Sequence, residues 1–554
     1  MQKATIYSDF IQVIPSLKNE YLDDIFLQDY LKTYFPSNSL QEIIPDLENF
    51  GKRSATEFIK WANDAQTNEP ELIQYNAFGK RVDEIKVADG WIKLHEAAAE
   101  EGLVAIGYER KYHEFSRLYQ FVKLYLYTPS SAIYSCPLAM TDGAARLIEL
   151  FGDDDLKMNE FKYLTSRNKK EFKTSGQWMT ERTGGSDVSR SMTFAEKNGN
   201  EYLLYGHKWF TSAITADMAF TLATTEKSND AKPAALSLFF LQIKNNDGTL
   251  NGIEVEALKD KLGTRALPTA QLQLNGVKAT LVGEQNKGVR TISTLFNITR
   301  IYNTISAVSY MRRAYSLSEK YGKKREVFGQ MLQHHVLHKK TIRNLEIAYQ
   351  SNTLLGLFLA RLLGKEECLL ANEQEQSLLR VLTPIAKLYT AKQSIKSASE
   401  HIEVFGGIGY LEDSGIPAML RDTQVLSIWE GTTNVLSLDM LRAFEKENGW
   451  NAFQQFAKSS LDSNNINELQ TPCDILQNKI NILNDFIQSL DKKSLMACAK
   501  DIAFYIAEAT IALLWLDFLN TNYQKENYLN TFNFWLQYKM SEQDLHSSKA
   551  LNLL

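Results

Sequence analysis

The hydrophobic period changes twice along this chain, so no single architecture accommodates all of it. Up to about residue 170, apolar positions recur every three or four residues, as in FSRLYQFVKLYLY and AARLIELFG. That is the spacing of helices that bury one face. From about 172 to 285 the runs shorten and alternate: EYLLYGHKWF, ALSLFFLQI, GIEVEAL and AQLQLNGVKATLV. These are strand patterns. Helical spacing returns over about 290–445 in TISTLFNITRIYNTISAVSYMRRAYSLSEKYGKK and LLRVLTPIAKLYTAKQSIKSASEHIEVFGG, lengths that suit a bundle with short connections. The expected division is a helical domain over 1–171, a β domain over 172–288, a helical bundle over 289–445 and a helical extension over 446–554. The looser stretch SSLDSNNINELQTP reads as a linker into that extension.

Local signals refine this outline. SLQE, beginning at Ser39, has the form of a capping box in which Ser39 and Glu42 satisfy each other's end of a helix. Asn198-Gly199 and Asn275-Gly276 read as tight hairpin turns, whose central residues need positive φ, so an antiparallel sheet or small barrel is expected. With 44% hydrophobic and 23% charged residues over 554 positions, the chain can bury several cores without disulfides or structural metals. The four cysteines, 136, 368, 473 and 498, form no CxxC pair; they fit a reducing compartment and are read as core residues. A net charge of −5 offers no global attraction to nucleic acid. MQKATIYSDFIQVIP carries Asp9 and lacks a secretory pattern, which makes export unexpected and a cytoplasmic location the expectation. ATIALLWL, between Glu508 and Asp517, is shorter than a membrane span and reads as a buried helix.

Several segments collect groups with chemical capacity. QWMTERTGGSDVSR brings Thr180, Gly184, Gly185, Ser186 and Asp187 together, a loop able to cradle an anion through its amides or to serve as a plain turn. YGHKWFTSA ends with Trp209, Phe210, Thr211 and Ser212, either core or the wall of a flat cofactor. In KKREVFGQMLQHH, Arg325 is suited to a pyrophosphate through its planar fork, or is a solvated charge at a helix end. His334 and His338 stand at metal-pair spacing, but no third ligand is visible, and no metal site is expected. HIEVFGGIGYLEDSG puts Gly406, Gly407 and Gly409 at a helix end, where a ligand or another backbone can approach closely. Glu430, in QVLSIWEGTTNVLSLDMLRAF, is hemmed in by Leu426, Ile428 and Trp429. Such a setting raises a carboxylate pKa and suits a general base; the plainer reading is a charge near the start of a helix at Thr432 or Thr433.

MTERTGGSDV, GHKWFTS, KLGTRALPTA, REVFG, EVFGGIGY and RDTQVLSIWEGTTN, in that order between 179 and 434, resemble the acyl-CoA dehydrogenase family. PELIQYNAFGKRVDEI and the helical region after Ala443 resemble its AidB-like branch. The resemblance implies an N-terminal helical domain, a central antiparallel β-barrel or sandwich and a C-terminal helical bundle plus extension, assembled as a homotetramer of two dimers with one FAD per subunit. By the same resemblance Met179, Thr180, Phe210 and Ser212 line the flavin, Ser186 lies near its pyrophosphate, and Arg325 and Phe328 reach the FAD of the neighbouring subunit. Gly407, Trp429, Thr432 and Asn434 surround the cofactor, and His335 stands where many relatives carry Gln beside the adenine. Glu430 falls on the catalytic-base position, with Arg300 supporting its loop next to the substrate. The implied reaction is α,β-dehydrogenation of an acyl-CoA thioester, a step of fatty acid metabolism, with electrons passing to an electron-transfer flavoprotein. The alternatives are a DNA-associated flavoprotein of the alkylation response and a non-catalytic acyl-CoA sensor. From Ala443 onward nine Lys and no Arg face 13 Asp or Glu, a net of −4, against the basic face that DNA requires. A pure sensor gains nothing from a buried base.

Overall fold

A computed structural model describes residues 15–226 and 235–539. The N-terminal stretch around Asp9 lies outside the described residues, as do residues 540–554 of the extension.

The N-terminal part is mainly helical, with helices Ile25–Tyr34, Ser37–Ala55, Glu57–Thr67, Asp89–Glu100, Phe115–Tyr127 and Ser135–Phe151. Two expectations fail here. The Ser37–Ala55 helix starts ahead of Ser39, with Pro36 as its N-cap, so Ser39 sits inside the first turn and the capping box does not form. Glu42 turns outward to Lys111 and Tyr112 instead. The Phe115–Tyr127 helix buries Ser116 through Tyr127 rather than one face, because helices pack around it. Its charges survive burial by pairing: Arg117 with Asp142 and Glu367, and Lys123 with Glu101. PELIQYNAFGKRVDEI, within the stretch of helical spacing, forms the hairpin β1 (Glu71–Tyr75) and β2 (Arg81–Lys86).

The central strands are β3 (Ser175–Trp178), β4 (Phe194–Asn198), β5 (Glu201–Ser212), β6 (Met218–Thr224), β7 (Leu236–Gln242), β8 (Ile253–Leu258) and β9 (Thr269–Val282). Pairings run β6–β4–β5–β9–β7 and return to β6, closing a small barrel. β8 joins on β9 and β3 on β6. The barrel is largely antiparallel, but β3 and β4 pair with β6 in parallel. The N-terminal hairpin clamps the β8 edge: Arg81 bonds Glu254 and the Val255 carbonyl, and Asp83 accepts from the Val255 amide.

The two Asn-Gly pairs behave differently. The β4–β5 hairpin turns on Gly199 and Asn200, and within it only Gly199 has positive φ, 63°. Asn275-Gly276 makes no turn: it lies inside the 14-residue strand β9, where the register against β5 slips and Gly276, at φ 75°, is the extra residue of a bulge. A glycine at positive φ serves a bulge as well as a turn.

Helices Gly288–Gly322, Val336–Glu367 and Glu373–Phe405, each over 30 residues long, form the bundle with Thr433–Lys446. The extension adds helices Gly449–Asp462, Gln470–Ser489, Lys492–Asn522 and Glu526–Tyr538, so part of the expected linker is helical. Lys492–Asn522 is long and apolar enough to cross a membrane, yet 89% of its most apolar window is buried inside the protein. The extension shares the N-terminal core: Phe26 packs on Trp515 and Phe518, and Tyr34 donates to Asp517 at 2.7 Å. Cys136, Cys473 and Cys498 are buried as expected, whereas Cys368, just past the Val336–Glu367 helix, is only partly covered.

Close backbone approach limits this packing. A Cβ on Gly364 would overlap the Glu114 carbonyl oxygen, where the Val336–Glu367 helix meets the loop entering Phe115–Tyr127. Neither backbone can yield cheaply. Gly364→Ala is expected to cost about 1–3 kcal/mol, read as a lower urea midpoint.

Candidate active site

Glu430 stands in a turn that few side chains adopt. After the Ile416–Val425 helix the chain doubles back, and Thr432 caps the next helix without a side-chain bond. Glu430 has φ 56° and Gly431 φ 106°. A left-handed glutamate persists only where its surroundings hold it.

Three segments hold it. On the Gly288–Gly322 helix, Thr299 and Asn303 are four residues apart and share a face. Thr299 Oγ1 donates to Glu430 Oε2 at 2.8 Å. Asn303 accepts from Trp429 Nε1 and donates to the Leu426 carbonyl at 3.2 Å. From β3, Gln177 Nε2 donates to Glu430 Oε1 at 3.0 Å. From the Glu373–Phe405 helix, Lys387 Nζ donates to the Gly431 carbonyl at 2.7 Å, while Arg300 Nε, on the Gly288–Gly322 helix, donates to the Glu430 carbonyl at 3.4 Å.

Burial pushes the Glu430 carboxyl above its ordinary pKa, against the lowering effect of the Thr299 bond, Arg300, Lys387 and Gln177. Part of the side chain stays accessible, so the group is enclosed by protein yet reachable. The enclosure is not the one its neighbours in sequence suggest. Leu426 is buried, but Ile428 is 60% exposed, and the walls come from Gln177, Thr299 and the Lys387 region. Burial also pushes the Lys387 ammonium down to about 7, against the raising pull of Glu430.

The barrel supplies a second wall. Trp209 and Phe210 sit where β5 bulges against β9 between Lys208 and Thr211, which aims both rings outward. Lys259 Nζ lies 3.2 Å from the Trp209 ring centroid, whereas Phe210 is 47% exposed. Lys261 Nζ donates to the carbonyls of Thr264 and Leu267 and to Thr269 Oγ1, which in turn bonds Ser212 at 3.1 Å. Gln177 Oε1, beside the carboxylate, is a buried acceptor without a partner among the described residues. An open ring, a hydroxyl and a waiting acceptor fit a flat, hydrogen-bonding cofactor.

Residues 15–168 match the family described as the adaptive response protein AidB N-terminal domain, 176–277 the acyl-CoA dehydrogenase middle domain and 286–444 the acyl-CoA dehydrogenase C-terminal domain. Acyl-CoA dehydrogenase family member 11 of Caenorhabditis elegans is 44% identical over 79% of this chain and 73% of its own length. The chain belongs to the acyl-CoA dehydrogenase family. Within it the AidB-like branch is shown by the N-terminal match and by putative acyl-CoA dehydrogenase AidB of Escherichia coli, 31% identical over 73% of this chain and 74% of that protein. The crystal structure of C. elegans ACDH-11 in complex with C11-CoA superposes with TM-score 0.92 at 38% identity, covering 96% of this chain and 93% of that one.

The acyl-CoA dehydrogenase fold divides the sequence-expected residues between two places. Gln177 holds Glu430 from the strand that leads directly into Met179 and Thr180; Met179 is buried and Thr180 half-buried, its carbonyl accepting from the Trp209 amide. Phe210 and Ser212 follow on β5, Ser186 is exposed on the glycine loop, and Trp429, Thr432 and Asn434 flank Glu430 and Gly431. Arg325, Phe328, His335 and Gly407 gather at one end of the bundle. There β10 (Glu326–Val327) and β11 (Gln330–Met331) make a hairpin turning on Phe328 and Gly329, both at positive φ, 50° and 77°. His335 bonds the Val327 carbonyl at 3.1 Å and caps the Val336–Glu367 helix. His334 lies in the preceding 3-10 turn, so it and His338 do not share one helix, and the spacing of a metal pair does not apply. Leu332 and Ile408 pack in one small apolar cluster, which ties the hairpin to the turn carrying Gly407. Arg300, expected to support the Glu430 loop next to the substrate, has its guanidinium paired with Asp439 at 2.7 Å and donates to the Glu430 carbonyl.

Sequence reasoning missed Gln177, Thr299, Asn303, Lys261 and Lys387. Lys387 alone left a signal, as the one charge in the apolar run LTPIAKLYTA.

Proposed function

We propose that this protein is an FAD-dependent acyl-CoA dehydrogenase in which Glu430 removes the α-proton of an acyl-CoA thioester. The observation that carries this reading is a carboxylate fixed by Gln177 and Thr299 in a left-handed turn, its proton affinity raised by burial. Family membership and the acyl-CoA bound to the similar C. elegans protein support the substrate class. Bound FAD supplies the acceptor for the β-hydrogen, which leaves as hydride. Thr180, Phe210 and Ser212 would hold its ring from the barrel, and Ser186 lies at the loop assigned to its pyrophosphate.

The chain's own residues account for the proton. Two hydrogen bonds orient the carboxylate without neutralising it, and the enclosed setting keeps its basicity high. The left-handed turn presents the Glu430 amide, which polarises the thioester carbonyl and acidifies the α-carbon. Enclosure excludes water from the reacting atoms. Electrons pass on to an electron-transfer flavoprotein. At the bundle end, Phe328, Leu337 and Tyr410, 97%, 81% and 82% exposed, support burial of that face in a homotetramer. Light scattering is expected to give four times the subunit mass.

The test is anaerobic mixing of the holoprotein with short, branched and long acyl-CoAs. Bleaching of the oxidised flavin band by at least one is expected; a band that persists across the panel contradicts the reading. Thr299→Val removes a bond that lowers the Glu430 pKa, so the acidic limb of the kcat/KM profile is expected to move to higher pH, with full activity regained in alkali.

A further inference from the structure

The Glu430 turn is anchored by two cations, and only Arg300 was anticipated from sequence. Successive carbonyls, those of Glu430 and Gly431, point at Arg300 and Lys387 on two different bundle helices. The two cations differ in their surroundings. Arg300 is partnered by Asp439, which also binds Arg380 at 2.8 Å, so this charge is compensated. Lys387 is fully buried, makes no salt bridge among the described residues, and has the Gly431 carbonyl as its described hydrogen-bond acceptor.

A fully buried ammonium without a carboxylate in contact is costly and is rarely kept for packing alone, since Met fills the same volume. The charges facing it are few. Glu430 comes from the turn, Arg300 from the Gly288–Gly322 helix and Lys392 from its own helix, with Asp439 behind Arg300. From the extension, Glu508 engages Tyr389, on the same helix. Among these, Glu430 is the group that favours the charged lysine.

We infer that Lys387 is a positioning residue for the dehydrogenase reaction: it pins the Gly431 carbonyl to hold Glu430 in its left-handed turn, and its charge helps to lower the proton affinity of that carboxylate. This rests on the reading of Glu430 as the base. A positive charge close to a carboxylate favours its ionised form. Lys387 thus adds to the Thr299 bond and Arg300 in favouring the ionised Glu430, against a desolvation that favours the neutral form. The lysine's own proton affinity, lowered to about 7, follows from the same burial. Because its folded pKa lies below the unfolded one, the charged lysine costs stability as pH falls through about 7, and an apolar replacement relieves that cost.

The experiment compares the holoproteins of wild type, Lys387→Met, Lys387→Arg and Glu430→Gln. Lys387→Met is expected to lower kcat/KM at acidic pH by at least about tenfold, chiefly through kcat, with the loss recovered as pH rises and with an undiminished melting temperature. Lys387→Arg is expected to restore the acidic limb. A second readout needs no turnover: the infrared carboxyl band absent from Glu430→Gln is expected to titrate at higher pH in Lys387→Met than in wild type. An unmoved carboxyl titration and acidic limb in Lys387→Met, or an equal loss at every pH together with a lower melting temperature, overturns the inference and leaves Glu430 as base intact. Full activity in Glu430→Gln overturns the underlying reading instead.

Discussion

Glu430→Gln is expected to slow acyl-CoA-dependent bleaching of the flavin by about 10²- to 10⁴-fold while leaving the fold untouched. The amide matches the carboxylate in shape and can keep both partners, its oxygen accepting from Gln177 and its NH₂ donating to Thr299. What it loses is the capacity to take a proton. The effect on stability has a definite sign. Burial raises the pKa of Glu430 in the folded protein, so its ionised form is disfavoured there and stability falls as pH rises through that pKa. A permanently neutral side chain removes this penalty. The variant is expected to melt at or above the wild-type temperature at pH 8, measured by calorimetry, and acyl-CoA is expected to bind without bleaching the flavin. A loss of activity accompanied by a large loss of stability would contradict the assignment.

The second large effect concerns the fold. Arg117, 1% exposed, bridges Asp142 at 2.7 Å and Glu367 at 2.6 Å, joining the Phe115–Tyr127, Ser135–Phe151 and Val336–Glu367 helices. Gln120, Tyr302 and Tyr108 also donate to the Asp142 carboxylate, at 2.7, 2.8 and 2.8 Å. Tyr302 lies about one helical turn beyond Thr299, so this cluster also braces the helix that holds Glu430. Arg117→Met removes the only cation contacting Asp142 among the described residues and leaves the buried Glu367 with only the longer contact to Arg146, at 3.7 Å. Breaking a buried pair in this way costs about 3–5 kcal/mol, to be read from urea denaturation. Adding Asp142→Asn and Glu367→Gln is expected to recover much of the loss, since neutral amides bury at lower cost. A cost below about 1 kcal/mol would show that the cluster contributes no more than a surface pair.

How much of this was legible in the sequence depended on whether a feature was local. The changes of period announced helices, barrel and bundle because side-chain alternation follows from neighbouring residues. Glu430 stood out for the same reason, a carboxylate set in an apolar run. Its shell did not. Gln177, Thr299 and Lys387 are brought together from three elements, and each is an ordinary residue in its own segment. Even the reason given for burial was displaced: Ile428, a neighbour in sequence, is exposed, while residues more than 40 positions away enclose the carboxylate. Asn275-Gly276 shows the limit of a local rule, since positive φ was the right inference and a turn the wrong one. The capping box at Ser39 failed because Pro36 starts the helix earlier.

The central claim is that Glu430 takes the hydrogen on the carbon next to the thioester as the β-hydrogen departs. Rapid anaerobic mixing with acyl-CoAs deuterated separately at the two carbons tests it most directly. A primary isotope effect on flavin bleaching at each position, with both signals absent in Glu430→Gln, is the predicted result. Flavin that bleaches at the same rate with deuterium at the α-carbon, or as fast in Glu430→Gln as in wild type, would contradict it.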